Sequence, residues 1–244
     1  MIADKKLAWS VVALLAVHCV NRPLAAEEKP TPAPAGWDQI ADPDGDCQFV
    51  STITLTVPAT NHDLSPRRGM NAPRLLKKVA GDFTAQVKVT SDFTPGVTST
   101  GQGRPFIGAG LLVWENQDNF LRLERNAYWI ADQLFCYPPL IEHWRSGQYA
   151  GVNSQPKPAH EFFQGRSTWL KLQRQGNRII ASFSHDGQDW TVAKEFEVEF
   201  ADEVSVGIAA LNTSDDAFTV EFESFKLTRD GDQTDPDQID PTEQ

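Results

Sequence analysis

The stretch GAGLLVWENQDNFLRLERN, residues 108–126, decides how this chain folds. ENQDN is a turn signal, so residues 107–115 and 120–126 are predicted to pair as a hairpin. Leu121 and Leu123 then point to one side, and Phe120, Arg122 and Glu124 to the other. Leu111 and Val113 oppose Leu112 and Trp114 in the same way. Gly108 and Gly110 mark a strand that bends or that another backbone approaches closely. An even turn puts Trp114 on the Leu121 side, and an odd, bulged turn puts it beside Arg122. At this stage both registers stand.

Period two runs through most of the chain. Phe83, Ala85, Val87 and Val89 alternate with Thr84, Gln86 and Lys88, and Ile53, Leu55 and Val57 alternate with threonines. WLKLQR, RIIASFS, EFEVEF and VSVGIAAL repeat the habit, which is the mark of half-buried antiparallel strands. Gln175-Gly176-Asn177 and Asp186-Gly187 read as turns. In the last strand Phe218, Val220 and Phe222 share one parity while Phe225 and Leu227 share the other, which predicts a bulge near Glu223. No long helical period is present. The expected fold is all-β: a two-sheet antiparallel jelly-roll sandwich over residues 37–228.

The two ends read differently. Residues 1–26 have the pattern of a signal peptide: Lys5 and Lys6, an apolar run from Leu7 to Val20, then small residues up to Ala26. A secreted or periplasmic location follows, with no membrane span in the mature chain. Residues 27–36 form a Pro/Ala-rich spacer, and 229–244 an acidic tail predicted to be disordered. Without the signal the chain keeps 19 basic residues (22 less Lys5, Lys6 and Arg22) and 32 acidic ones (33 less Asp4), a formal charge of −13. Nucleic acid is excluded as a partner, because phosphate contacts need clustered Lys and Arg.

The order NAPRLLKKVAGDFTAQVKV, GAGLLVWENQDNFLRLERN, STWLKLQRQGNRIIASFSHDGQDW, VSVGIAALN, FESFKL resembles the DUF1349 family over residues 70–228. More broadly it resembles the concanavalin A-like (laminin G-like) lectin and glucanase jelly rolls. That resemblance implies a curved sandwich whose concave sheet or rim binds carbohydrate, without implying catalysis. Sugar recognition needs flat aromatic faces and planar polar groups. Trp114, Arg122 and Glu124 form such a set, against the plainer reading of a cross-strand ion pair beside a core Trp. Tyr128, Trp129 and Trp144, from an aromatic-rich segment, are the platform candidates, against the plainer reading of core rings.

Other patterns carry less. SHDGQDW is a hairpin turn with Asp186-Gly187 at positive φ and Trp190 packed beneath. DPDGD, residues 42–46, clusters three carboxylates, but Ile53 stands where a calcium loop of the EF-hand type needs Glu, so a solvated turn is expected and no metal or other cofactor is assigned, calcium being the one candidate. The four histidines beyond the signal pattern, His62, His143, His160 and His185, lack ligand spacing. With Cys19 in the signal, only Cys47 and Cys136 can pair, and a disulfide between them is set against two free thiols. HDLSPRRG holds Asp63, Arg67 and Arg68, which suit a carboxylate but read first as a strand connection. No paired-carboxylate strand of the glucanase type occurs. The expected function is a non-catalytic carbohydrate-binding module. The alternatives are a hydrolase or lyase of the same fold, or an adhesion module that binds protein.

Overall fold

The computed structural model describes residues 35–50, 54–152 and 155–229. The expected signal peptide, all of the spacer before Ala35, and the tail after Arg229 lie outside the described residues. Among the described residues no helix is long and apolar enough to cross a membrane.

The chain opens with the short strands β1 (Gln39–Ala41), β2 (Gln48–Phe49) and β3 (Thr54–Val57). A small hairpin follows, β4 (Leu64–Ser65) and β5 (Gly69–Met70), and then β6 (Arg74–Ala80) and β7 (Phe83–Thr90). The decisive hairpin is β8 (Phe106–Asn116) and β9 (Asn119–Ile130). The aromatic-rich segment forms β10 (Gln133–Cys136), β11 (Leu140–Arg145), β12 (Gln148–Val152) and β13 (Lys157–Pro158), before a single helical turn α1 (Ala159–Phe162). β14 (Ser167–Gln175), β15 (Arg178–Ser184), β16 (Thr191–Glu197), β17 (Glu203–Asn212) and β18 (Phe218–Arg229) complete the chain.

These strands build two large antiparallel sheets, the jelly-roll sandwich that the alternation predicts. The first runs β1-β6-β17-β8-β9-β10-β13, with β11 and β12 also joined through β9. The second runs β16-β15-β14-β7-β18-β3-β2. The main core lies between them. Val87, Val89, Leu111, Leu121, Leu123 and Val206 are fully buried there, each contributing ~1.5–3 kcal/mol by leaving water. The bulge predicted near Glu223 is present as a register shift between Glu223 and Lys226. At the Asp186-Gly187 turn only Gly187 takes a positive φ. Its partner ring is Trp169, whereas Trp190 faces the Lys171 ammonium at 3.9 Å, so Trp190 does not pack beneath the turn.

Register settles the side of Trp114. Val113 pairs Leu121 and Trp114 pairs Phe120, but Asn116 pairs Asn119, so a bulge at Glu115 makes the turn odd. Asn116 closes it by accepting the amides of Asp118 and Asn119 at 2.9 and 3.0 Å. Trp114 therefore shares the outward face with Arg122. Gly110 and Gly207 let the strands of this sheet crowd together. A Cβ at Gly110 would lie 2.0 Å from the Leu123 carbonyl oxygen, and one at Gly207 1.8 Å from that of Leu75.

Backbone cannot swing aside as a flexible side chain can. Gly110→Ala is thus expected to destabilise the fold by ~1–3 kcal/mol, read as a lowered urea midpoint. An unchanged midpoint would contradict the close approach of β8 and β9.

Candidate functional site

The outward face of the first sheet is built in rows set by register. Trp114, Phe120, Trp144 and Tyr149 form one row across β8, β9, β11 and β12. Leu112, Arg122 and Glu142 form the next, then Gly110, Glu124 and Leu140. Further along the strands lie Gly108 with Asn126, and then Phe106, Tyr128 and Phe135. The segment between β3 and β6 folds over part of this face. Its Leu64 is sealed in an apolar cluster with Leu112, Phe120, Trp144, Ala209 and Leu211.

Asp63 anchors that segment. Its carbonyl accepts the amides of Asn71 and Ala72, both at 3.1 Å, and its own amide donates to Asn71 Oδ1 at 3.1 Å. One carboxylate oxygen meets Arg68 Nε at 3.2 Å, and the other lies 3.9 Å from Arg122 Nη1. Arg122 is 2% exposed. Its Nε donates to Glu142 Oε2 at 3.0 Å, its Nη2 meets the same oxygen, and its Nη1 donates to Glu124 Oε1 at 3.3 Å. Burial opposes the Arg122 charge, but Glu124, Glu142 and Asp63 together hold its pKa above the usual value. Glu124, 1% exposed, has only this one cation to balance its own burial. Burial pushes its carboxyl up to about 7; Arg122 pulls it down, while Glu142 and Asp63 push it further up. Its Oε2 has no hydrogen-bond partner and fits against Gly108, where a Cβ would come within 2.7 Å.

Beside this network a cavity of about 190 Å³ opens, lined by Asp63, Arg68, Arg104, Arg122, Tyr128, Tyr137, Glu142 and Tyr149, with Phe106, Leu140 and Thr213. Tyr128 is 1% exposed, and its hydroxyl makes no well-formed hydrogen bond, although burial and the neighbouring Tyr137 both raise its pKa. The Arg104 guanidinium stands 4.9 Å over the Tyr128 ring, and Tyr137 packs on the same ring at 5.5 Å. Among the described residues no carboxylate pairs with Arg104. Asn126 shapes the wall by bridging Tyr137, donating to its carbonyl at 2.7 Å and accepting its amide at 3.0 Å.

The six candidates from sequence therefore divide. Arg122 and Tyr128 line the cavity, and Glu124 lies behind Arg122. Trp144 is buried, with Phe120 and Tyr149 against its ring and its Nε1 donating to Glu142 Oε2 at 3.3 Å, so it backs Glu142 and Tyr149 without lining the cavity or offering an open face. Trp114 is on the same face, but Arg74 covers its ring at 4.5 Å. Trp129 has the opposite parity. It points toward the core side and donates to the Pro95 carbonyl at 2.8 Å, so it does not join the platform.

Cys47 and Cys136 are free thiols. Cys136 lies on β10 with Ala159 and Phe162, toward one edge of the sandwich, while Cys47 precedes β2 at the end of the other sheet. Of the two readings left open, a disulfide or two free thiols, the structure has the free thiols, because the fold sends them to separate surroundings. Glu142, Arg104, Tyr137 and Tyr149 were missed as site residues. Glu142 alone had a readable signal: it shares the parity of Trp144 in LIEHWR. His143 faces inward against Phe196 and Phe200, and burial lowers its pKa.

Residues 155–230 match the model of the DUF1349 family, described as a protein of unknown function. This is the C-terminal part of the stretch whose motif order resembles that family. Among curated proteins none matches the chain. Several solved structures share the fold. A functionally unknown protein from Saccharomyces cerevisiae is 15% identical, with 79% of this chain and 96% of that one covered and a TM-score of 0.58. A GH43 protein from Bacillus licheniformis is 18% identical, with 72% and 33% covered and a TM-score of 0.53. A xylan β-1,4-xylosidase from Bacillus halodurans is 14% identical, also with 72% and 33% covered, and a TM-score of 0.51. This chain thus spans about a third of the two bacillar proteins.

The raised Glu124 carboxyl has a consequence for stability. Between its ordinary pKa of 4.5 and about 7 the folded chain holds a proton that the unfolded chain has released. The stability from this group is full below that window and is lost as pH rises through about 7. Glu124→Gln removes the titration, so its urea midpoint is expected to fall less than that of the unaltered protein across the window. Parallel profiles would contradict the buried, partly uncompensated carboxyl.

Proposed function

We propose that this protein is a carbohydrate-binding β-sandwich that acts outside the cytoplasm and seats one sugar unit of a polysaccharide in the cavity beside Arg122. The observation that carries this reading is the Tyr128 hydroxyl. Burial and the nearby Tyr137 raise its pKa, but it makes no well-formed hydrogen bond. A buried hydroxyl left short of partners costs up to about 1–3 kcal/mol, and this one lines a cavity where a ligand oxygen would complete its bonding. Around it stand the groups that hydroxyl-rich ligands need. The Tyr137 and Tyr149 rings supply flat faces, and Arg68, Arg104 and Glu142 supply planar charged groups. At about 190 Å³ the cavity is smaller than drug-sized pockets of about 300–1,000 Å³, which suits a single ring. Two proteins that share the fold are described as a GH43 protein and a xylan β-1,4-xylosidase, in keeping with a saccharide ligand.

Glu124 favours a second reading, in which the site also cleaves its ligand. A carboxyl pushed up to about 7 is suited to general acid–base work. The binding reading takes precedence because Glu124 and Glu142 are already engaged by the Arg122 guanidinium.

The test is affinity electrophoresis and calorimetry of the mature chain against neutral and uronic-acid polysaccharides, with assay for released sugar. Binding without release is the expected outcome. Tyr128→Phe is expected to leave stability equal or higher, since it deletes a buried hydroxyl left short of partners, while weakening binding ~5–10-fold, about 1–1.4 kcal/mol. Arg104→Ala is expected to weaken binding with the fold intact. No binding to any polysaccharide, or a Tyr128→Phe protein that binds as tightly as the original, would overturn the reading. Sugar release abolished by Glu124→Gln would establish the second one.

A further inference from the structure

A second cluster lies away from the cavity, where the loop before β2 meets the segment after β3. His62 is 1% exposed. Its Nε2 faces Asp46 Oδ1 at 2.9 Å, and Asp44 Oδ2 lies 3.7 Å from the same nitrogen. Cys47 Sγ is 3.8 Å from Asp46 Oδ1. The Nε2, Sγ and Oδ1 atoms all fall within 4.8 Å of one another. On its other side, His62 Nδ1 lies 3.3 Å from the Thr60 carbonyl oxygen. A ring nitrogen that donates there leaves Nε2 with its lone pair toward the cluster, as a metal-binding imidazole requires.

We propose that His62, Cys47 and Asp46, with Asp44 as fourth donor, form a binding site for a divalent transition metal of the zinc class. The spacing fits such an ion. With bonds of about 2.0–2.3 Å to N, O and S, a tetrahedral centre spaces its N and O donors about 3.4 Å apart and its S and O donors about 3.6 Å apart. The distances here, 2.9 and 3.8 Å, need shifts of a few tenths of an ångström to match.

Charge points the same way. Asp44 and Asp46 converge on one imidazole with Asp42 beside Cys47, and among the described residues no Lys or Arg pairs with any of the three. Asp42 accepts the Cys47 amide with Oδ2 at 3.2 Å, yet its Oδ1 is buried without a partner. A cation in the cluster would offset both. Sulfur and imidazole donors select zinc-like ions, whereas calcium takes a shell of oxygens.

The site would clamp the 42–47 loop to the 60–63 segment. The next residue after His62 is Asp63, which reaches Arg68 and Arg122 at the cavity. Asn71 already bridges the same two stretches, donating to Asp44 Oδ2 at 2.5 Å and to the Asn61 carbonyl at 2.7 Å.

The test uses chelator-treated mature protein under reducing conditions, titrated with Zn²⁺ by calorimetry and with Co²⁺ by absorption. One Zn²⁺ per chain is expected, together with a Co²⁺ spectrum showing a thiolate charge-transfer band. Cys47→Ser is expected to abolish that band. Cys47→Ser and Asp46→Asn are each expected to weaken Zn²⁺ binding ~10-fold or more, and Zn²⁺ should raise the melting temperature of the original protein more than that of either variant. Asp46 is exposed on the loop, and Cys47, only partly buried at the edge of the main core, is replaced by a side chain of similar size, so each should fold, as circular dichroism would verify; His62 is avoided because it is buried. No saturable Zn²⁺ binding, a Co²⁺ spectrum without the band, or affinity unchanged in both variants would overturn the proposal and leave His62 and Asp46 as a hydrogen-bonded pair.

Discussion

Arg122 carries a permanent charge into a place that is 2% exposed. Removing such an ion from water costs several kcal/mol even after the surroundings relax. Three carboxylates from three separate stretches, Asp63, Glu124 and Glu142, meet it there. That requirement ties the long hairpin to β11 and draws the Asp63 segment over the outward face. It also explains why Glu124 is poorly compensated. One guanidinium serves three anions, and its strongest contacts go to Glu142.

Arg125, three residues later, answers the same problem differently. Its parity sends it between the sheets, where it donates to Thr168 Oγ1 at 2.7 Å and to the Gly165 carbonyl at 2.7 Å, and stacks 3.8 Å over Phe163. Among the described residues no carboxylate pairs with it, and burial lowers its pKa to about 10. One face of β9 thus uses a cation to organise a polar site, and the other uses one to join two sheets. The outward face is divided in turn. Leu64 and its apolar neighbours close one part to water, while the tyrosines, arginines and acids keep the other part wet and shaped. A site of this kind depends less on exposed rings than on a network that holds each polar group in place before a ligand arrives.

Much of the fold was legible because alternation is a local signal. Residues 83–89 and 218–227 show their buried faces, and the Glu223 bulge, in the order of their side chains alone. The same logic places Arg122 and Glu124 on one face. Tyr128 and Trp129 are candidates for their rings alone, and of the two only Tyr128 has the parity of that face. Trp114 could not be placed at all until the bulge at Glu115 was known. What stayed hidden was long-range. Asp63 meets Arg122 across 59 positions of chain, and no period links them. His62 reads as an isolated residue until the pairing of its backbone with Asn212 brings it beside the 42–47 loop. Cys47 and Cys136 looked like partners only because no others were available.

The account turns on Arg122 being held by its acids and not merely lying near them. A double-mutant cycle of Arg122→Met and Glu142→Gln, read as unfolding free energy in urea, measures this directly. Arg122→Met is expected to cost about 3–5 kcal/mol, because Glu124 and Glu142 lose their cation while Asp63 keeps only Arg68. The double variant is expected to be less destabilised than the sum of the two single changes, by about 1–3 kcal/mol. Effects that add to within about 0.5 kcal/mol would contradict the account and leave Arg122 as one buried side chain among many.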